Sequence, residues 1–193
     1  MAKEPLPGLE PIAVAGLDAA LDADYACASL RYHTSSGAAA RSVETLLHHP
    51  LPATLAGTRS VSAVSHGQAV EVTLVWRSPT ETLVLSRDRS IFAQIQSSVA
   101  GLPDGCLIDQ SGGIRTIRLE GCRVPALFAR LGNPDAIPAT GQARRTRLAD
   151  VPVMGVNVGS DEYLLLVERV YAPHLMDWLR ETAADLRGID ESE

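Results

Sequence analysis

The sequence predicts an α+β fold, a mostly antiparallel sheet with helices packed on one side. Three observations lead there. Strand-like segments follow one another directly: "AVEVTLVW" (69–76) precedes "ETLVLS" (81–86), and "RRTRLA", "VPVMGVNV" and "EYLLLVERV" succeed each other in the last third. The turns between them are short, Ser78-Pro79 in the first group and "GSDE" (159–162) in the second. Helical periodicity is confined to a few segments, so the order β-β-α-β, β-α-β-β-β-α segregates helices from strands instead of alternating them.

Each element has its own local reason. The first 57 residues are rich in Ala, Pro and Gly and only weakly apolar. They are read as an Ala/Pro-rich arm (1–57), with "VAGLDAALDADYACASL" as a loose helix and "SVETLLHH" as a short helix capped by Ser42. The main domain is expected over 58–188, followed by an acidic tail at 189–193. Within that domain the first two strands alternate in the β manner and read as a hairpin. Ile91, Phe92, Ile95 and Val99 then fall at helical spacing, with Asp88 or Ser90 at the start and Gly101 and Pro103 beyond the end. "GCLID" (105–109) is a short strand, and Gly112-Gly113 reads as a hairpin turn into "IRTIRLEG". Pro125 opens a helix that Gly132 stops, its apolar side carrying Leu127, Phe128 and Leu131. The last helix starts near Pro173. Leu175, Leu179, Ala183 and Leu186 form its stripe, with Met176 and Trp178 beside it.

Bulk composition narrows the function. The 193 residues suit one domain of ordinary size, and 46% are hydrophobic but only 4% aromatic, so the core is built from Val, Leu, Ile and Ala. Seventeen basic against 23 acidic residues leave a net charge of −6, which argues against a nucleic-acid binder. Cys27, Cys106 and Cys122 are scattered and odd in number, as expected of reduced thiols in a cytoplasmic protein. No apolar run approaches a membrane span, and the N-terminal stretch lacks the apolar centre of a signal peptide. A cytoplasmic protein without membrane or nucleic-acid partners is expected.

Among residues able to carry chemistry, Asp109-Gln110-Ser111 stands out. One reading is a turn in which carboxylate and hydroxyl accept backbone N–H bonds. The other is a carboxylate that holds or deprotonates an amine, which needs a second group in the same pocket. Gly112-Gly113 leads into a strand and so is no phosphate cradle. His48 and His49 are adjacent and lack further ligands at metal spacing. His33, His66 and His174 are isolated. Arg144, Arg145 and Arg147 read as a solvated strand edge. No metal site and no catalytic residue are assigned.

Three stretches together resemble the sarcosine oxidase gamma subunit family. "WRSPTETLVL" (76–85) is similar to a Trp-x-Gly-Pro-Asp-Glu-x-Leu-Leu pattern through Trp76, Pro79, Glu81, Leu83 and Val84, with Ser78 and Thr80 as departures in the turn. "IDQSGGIRTIRLEGCRVPALFARL" resembles an Asp-x-Ser…Leu-x-Gly…Leu stretch of the wider folate-binding aminomethyltransferase superfamily, through Asp109, Ser111, Leu119 and Gly121. The C-terminal stretch resembles the gamma subunits through Thr146, Leu148, Tyr163, Leu165, Val167, Arg169, Trp178 and Leu179. The resemblance covers roughly 58–187. It implies an aminomethyltransferase-like fold and a non-catalytic subunit without its own cofactor. Flavins, NAD and tetrahydrofolate are then expected on partner subunits, the large alpha- and beta-type flavoprotein chains of an N-methyl amino acid oxidase. The alternative it leaves open is a stand-alone folate-binding or aminomethyl-transfer protein, with Asp109, Ser111 and Tyr163 as the folate pocket. The catalytic relatives carry an acidic residue in the segment after the Thr-x-Leu strand. Here Asp150 stands only at its beginning, with Gly155 and Asn157 further in, and a neutral amide cannot supply the same charge stabilisation or proton transfer.

Overall fold

A computed structural model describes residues 9–52, 58–65 and 68–190. In chain order the elements are β1 (Ile12–Val14), β2 (Leu17–Leu21), β3 (Ala26–Tyr32), α1 (Ala38–Leu47), β4 (Thr58–Ser65), β5 (Gln68–Ser78), β6 (Glu81–Ser86) and α2 (Ser90–Val99). Then follow β7 (Gly105–Asp109), β8 (Ile114–Glu120), α3 (Val124–Leu131), β9 (Ala143–Leu148), β10 (Val151–Asn157), β11 (Glu162–Glu168) and α4 (Ala172–Asp190). Every predicted element after residue 58 is present. The fold is α+β, with two antiparallel sheets where one was expected.

The chain divides into two compact units, Asp24–Gly112 and the remainder, made of the residues up to Ala23 and from Gly113 onward. In the discontinuous unit the strand order is β1-β2-β8-β11-β10-β9. One face of this sheet carries Ile117, Leu119, Val151, Val153, Tyr163, Leu165 and Val167, which form a single core with Val124, Leu127 and Phe128 of α3 and the stripe of α4. All four expected stripe residues of α4 are buried, whereas Trp178 is 44% exposed. Leu164 and Leu166, on the opposite face, are buried as well. Burial on both faces explains why "YLLLV" is a continuous apolar run and not an alternation.

In the continuous unit the order is β4-β5-β6-β3-β7. Leu30, Val72, Leu74, Val84 and Leu107 share a core with Val43 and Leu47 of α1 and with Ile91, Phe92 and Ile95 of α2. Gly37, at the start of α1, offers no capping side chain. Asp104 supplies the acceptor from a distance, both of its oxygens lying 3.2 Å from the Ala39 amide.

Four expectations are corrected. The segment read as a loose helix is three strands, because pairing outweighs the helical propensity of its alanines. Leu17 and Ala19 are buried while Asp18 is exposed, the period-two pattern of a strand laid against β8, with Ala19 opposite Leu119. Residues 1–57 are therefore no separate arm. They contribute a hairpin to one sheet and β3 with α1 to the other unit. Ser42 lies inside α1 and not at its cap, its hydroxyl donating to the Ser98 carbonyl at 2.7 Å. Gly112-Gly113 is not a hairpin turn, since β7 pairs with β3, whereas β8 pairs with β2 and β11. At α2 the cap acceptor is Asp88, which takes the Ser90 amide at 2.8 Å. Residues 189 and 190 of the expected tail are the end of α4. His66 and residues 191–193 lie outside the described residues.

The β2–β8 pairing makes a discriminating prediction. Ala19 is 1% exposed and Ala20 is half-buried on the other face. Ala19→Lys is expected to lower unfolding free energy by about 2–4 kcal/mol in urea melts, and Ala20→Lys by well under half of that. A loose arm would leave both variants at wild-type stability.

Candidate functional site

The polar residues singled out from sequence converge in part at the ends of β3 and β7. Antiparallel pairing sets Arg31 between Glu81 of β6 and Cys106 of β7. Near the other end of the same strands, Gln110 donates its amide to the Cys27 carbonyl at 2.9 Å. The Cys27 amide in turn donates to the Ser111 hydroxyl at 3.1 Å.

Asp109 closes that end as a turn residue. Its Oδ1 accepts the Ser111 amide at 2.8 Å, an Asx turn. Burial by itself raises the Asp109 pKa, but hydrogen bonds from Ser111 and the charge of Arg89 outweigh it and hold the carboxyl below its ordinary 3.8. The carboxylate and hydroxyl thus have structural occupations, as the turn reading expects. Next to them Cys27 is 2% exposed, and burial pushes its thiol up to about 12.

At the other end lies an open groove of about 700 Å³. Arg31, His33, Thr80, Glu81, Asp104 and Cys106 stand around it. Glu81 is its electrostatic centre. Its Oε1 accepts from the Ser29 hydroxyl at 2.6 Å and from Arg77 at 3.1 Å, and Arg31 lies 3.8 Å away. Ser29 is fully buried, so this hydrogen bond meets its need for a partner. The network escaped sequence reasoning because Ser29 and Glu81 are 52 positions apart. The legible signal was Arg77 and Glu81 flanking a Ser-Pro-Thr turn.

Tyr163 belongs to the other unit. It is 4% exposed and packs on Phe128 with ring centroids 5.6 Å apart. Burial, followed by the Asp161 charge, raises its hydroxyl pKa. Asn157, in the same unit, is 2% exposed. Its Nδ2 donates to the Pro138 carbonyl at 3.1 Å and its Oδ1 accepts the Gly159 amide at 3.2 Å. Both ends of the amide are used, and a carboxylate here would face Pro138 acceptor to acceptor. Gly155 lies against the Phe128 ring, where an added Cβ would sit 3.3 Å from Cε1. Asp150 is exposed with φ 61° beside Arg147.

His48 ends α1 in the left-handed conformation, and the His49 ring lies 2.9 Å from the Pro50 carbonyl. Among the described residues no group of three or more His, Cys, Asp or Glu is placed to hold a metal ion. Arg144, Arg145 and Arg147 lie exposed on β9, an outer strand of its sheet.

No protein-family model matches the sequence, and no curated protein matches it. The fold does match solved structures. A chain of the heterotetrameric sarcosine oxidase of Corynebacterium sp. U-96, solved with pyrrole 2-carboxylate, superposes with a TM-score of 0.77 at 19% identity, over 92% of this chain and 89% of that one. Aminomethyltransferase T of the glycine cleavage system of Bartonella henselae superposes with a TM-score of 0.66 at 12% identity. There 89% of this chain spans only 53% of the neighbour, about half its length. The fold is therefore shared with a sarcosine oxidase chain and with part of an aminomethyltransferase.

Three measurements test this geometry. Cys106 and Cys122 are exposed, so a thiol reagent at pH 8 is expected to label two cysteines rapidly in the native protein and the third, Cys27, only in denaturant. Asn157→Asp is expected to cost about 1–3 kcal/mol in unfolding free energy, read from the shift of the urea midpoint. Because the Asp109 pKa is depressed on folding, its contribution is complete above 3.8 and disappears as pH falls through the lowered value. Asp109→Asn is therefore expected to flatten the acid limb of the stability–pH curve below about pH 4.

Proposed function

We propose that this chain is a non-catalytic, gamma-type subunit of a sarcosine oxidase-like complex. In this reading the assembly oxidatively demethylates an N-methyl amino acid with tetrahydrofolate as one-carbon acceptor. This chain packs beside the folate-handling part of the large alpha-type subunit. Flavins, NAD and tetrahydrofolate are held by the alpha- and beta-type partners, in the cytoplasm.

One observation carries the reading: the pattern of coverage. The match to the sarcosine oxidase chain is nearly end to end in both directions, so the two chains are of similar length. The match to the aminomethyltransferase leaves almost half of that enzyme without a counterpart. The site residues agree with a scaffolding role. Asp109 and Ser111 are engaged in a turn, and Asn157 ties two loop segments together. Among the described residues no helix is long and apolar enough to cross a membrane.

Co-expression with candidate large subunits tests the proposal. The expected result is a stoichiometric, flavin-coloured complex that oxidises an N-methyl amino acid, while the purified single chain shows no turnover. Tight tetrahydrofolate binding by the single chain, abolished in Asp109→Ala, would instead support the folate-binding alternative.

A further inference from the structure

The outer strands β9 and β7 differ in the side chains they carry. In the six-stranded sheet the outer strand β9 bears three exposed arginines, a charged edge of the kind that resists strand addition. In the five-stranded sheet the outer strand β7 reads "GCLID", without Lys, Arg or Pro. Cys106 is exposed and Ile108 is 42% exposed, whereas the Leu107 side chain enters the core.

The pairing shows which backbone groups are free. Gln110 donates to the Cys27 carbonyl and His33 donates to the Asp104 carbonyl. In an antiparallel ladder hydrogen-bonded pairs alternate, so Ser29 with Ile108 and Arg31 with Cys106 are the bonded pairs between these two points. The N–H and C=O groups of Gly105, Leu107 and Asp109 consequently point away from β3. Among the described residues none of them has a partner.

We propose that β7 is a docking edge for an extended segment of another protein, added as a sixth strand, with apolar and basic residues in alternation. The free backbone groups select a strand. The side chains select its pattern. Residues of the incoming strand opposite Cys106 and Ile108 lie on the face of Arg31 and Arg77, two cations against the one Glu81 carboxylate, which disfavours Lys or Arg there. Residues on the alternate face meet Asp109 at one end and come beside Asp104 at the other. Neither carboxylate makes an ion pair among the described residues, and Arg89 acts on Asp109 only from beyond ion-pair distance. Lysines four positions apart, with apolar residues at the three positions between them, match this arrangement. A second copy of the chain does not, because full antiparallel overlap sets Asp109 opposite Gly105 and beside Asp104 at both ends of the seam, and like charges there oppose pairing. The inference is independent of the proposed subunit role.

The probe is the peptide Thr-Lys-Val-Ala-Val-Lys-Thr, added to the intact protein at low salt. Saturable binding is expected, together with slowed hydrogen exchange at the Leu107 and Asp109 amides. The counterpart with Glu in place of Lys is expected to bind at least about tenfold more weakly, and so is wild-type peptide to Ile108→Lys, whose exposed position leaves the fold intact. A peptide N-methylated at the alanine and both lysines, the residues opposite Leu107, Asp109 and Gly105, cannot donate to the edge and is expected not to bind. The proposal is overturned if the N-methylated or Glu peptide binds as well as the probe, or if the two amides stay unprotected at saturation. Protection that rises with protein concentration without peptide would overturn it in favour of a second copy.

Discussion

The discontinuous unit depends on a pairing made across a hundred residues. Strand β8 lies between β2, from the chain's beginning, and β11, from its last third. Ala19 meets Leu119 and Leu21 meets Ile117 on the core face. Without that ladder one side of β8 would be an open edge, and Leu17 and Ala19 would lose the cover that makes them 1% exposed. The residues from 24 to 112 are in effect inserted between two pairing strands, and they build a sheet and core of their own. Closing so long a loop is entropically unfavourable before any non-local contact forms, so contacts local to the insert carry the smaller closure cost. The antiparallel meander β4-β5-β6, with α2 directly after it, has that local character.

This arrangement also explains what the sequence made legible. Segments whose partners are neighbours in the chain were readable: β5 with β6, the β9-β10-β11 meander, and α2, α3 and α4 with their apolar stripes. In each, periodicity and turn chemistry agree with the final fold. The N-terminal strands were not readable, because their apolar residues are mostly alanines, which favour helix in isolation and become strand residues only through β8 and β6. The Gly112-Gly113 error has the same origin. Two strands joined by a glycine pair look like a hairpin locally, and only the distant pairing of each shows that they belong to different sheets.

The candidate site divides along similar lines. The turn chemistry of Asp109 and Ser111 is local and was visible, whereas Ser29 with Glu81 and Asp104 with the Ala39 amide are products of topology. What unites them is that each polar group is occupied by the fold. Glu81 meets a buried hydroxyl and a guanidinium, Asp104 caps a helix that has no cap of its own, and Asn157 bonds at both ends of its amide. A reacting carboxylate has to exchange its hydrogen bonds for the substrate's during turnover, and groups whose removal would leave buried donors unpaired are poorly suited to that.

In the proposed reading, shape and edges are the means by which such a chain acts. An aliphatic core with few aromatic rings fills two sheet-and-helix units, and the polar residues hold their turns and caps in register. In that reading, recognition falls to backbone groups along an outer strand, an exposed isoleucine, and the negative charge that Asp104 and Asp109 keep alongside their cap and turn hydrogen bonds. Arginines on β9 and their absence on β7 make β7 the less defended of these two edges, and an undefended edge is an aggregation hazard unless something normally occupies it. The brevity of β7, five residues, limits that hazard, and its flanking carboxylates make self-pairing unfavourable while leaving pairing with a basic strand favourable.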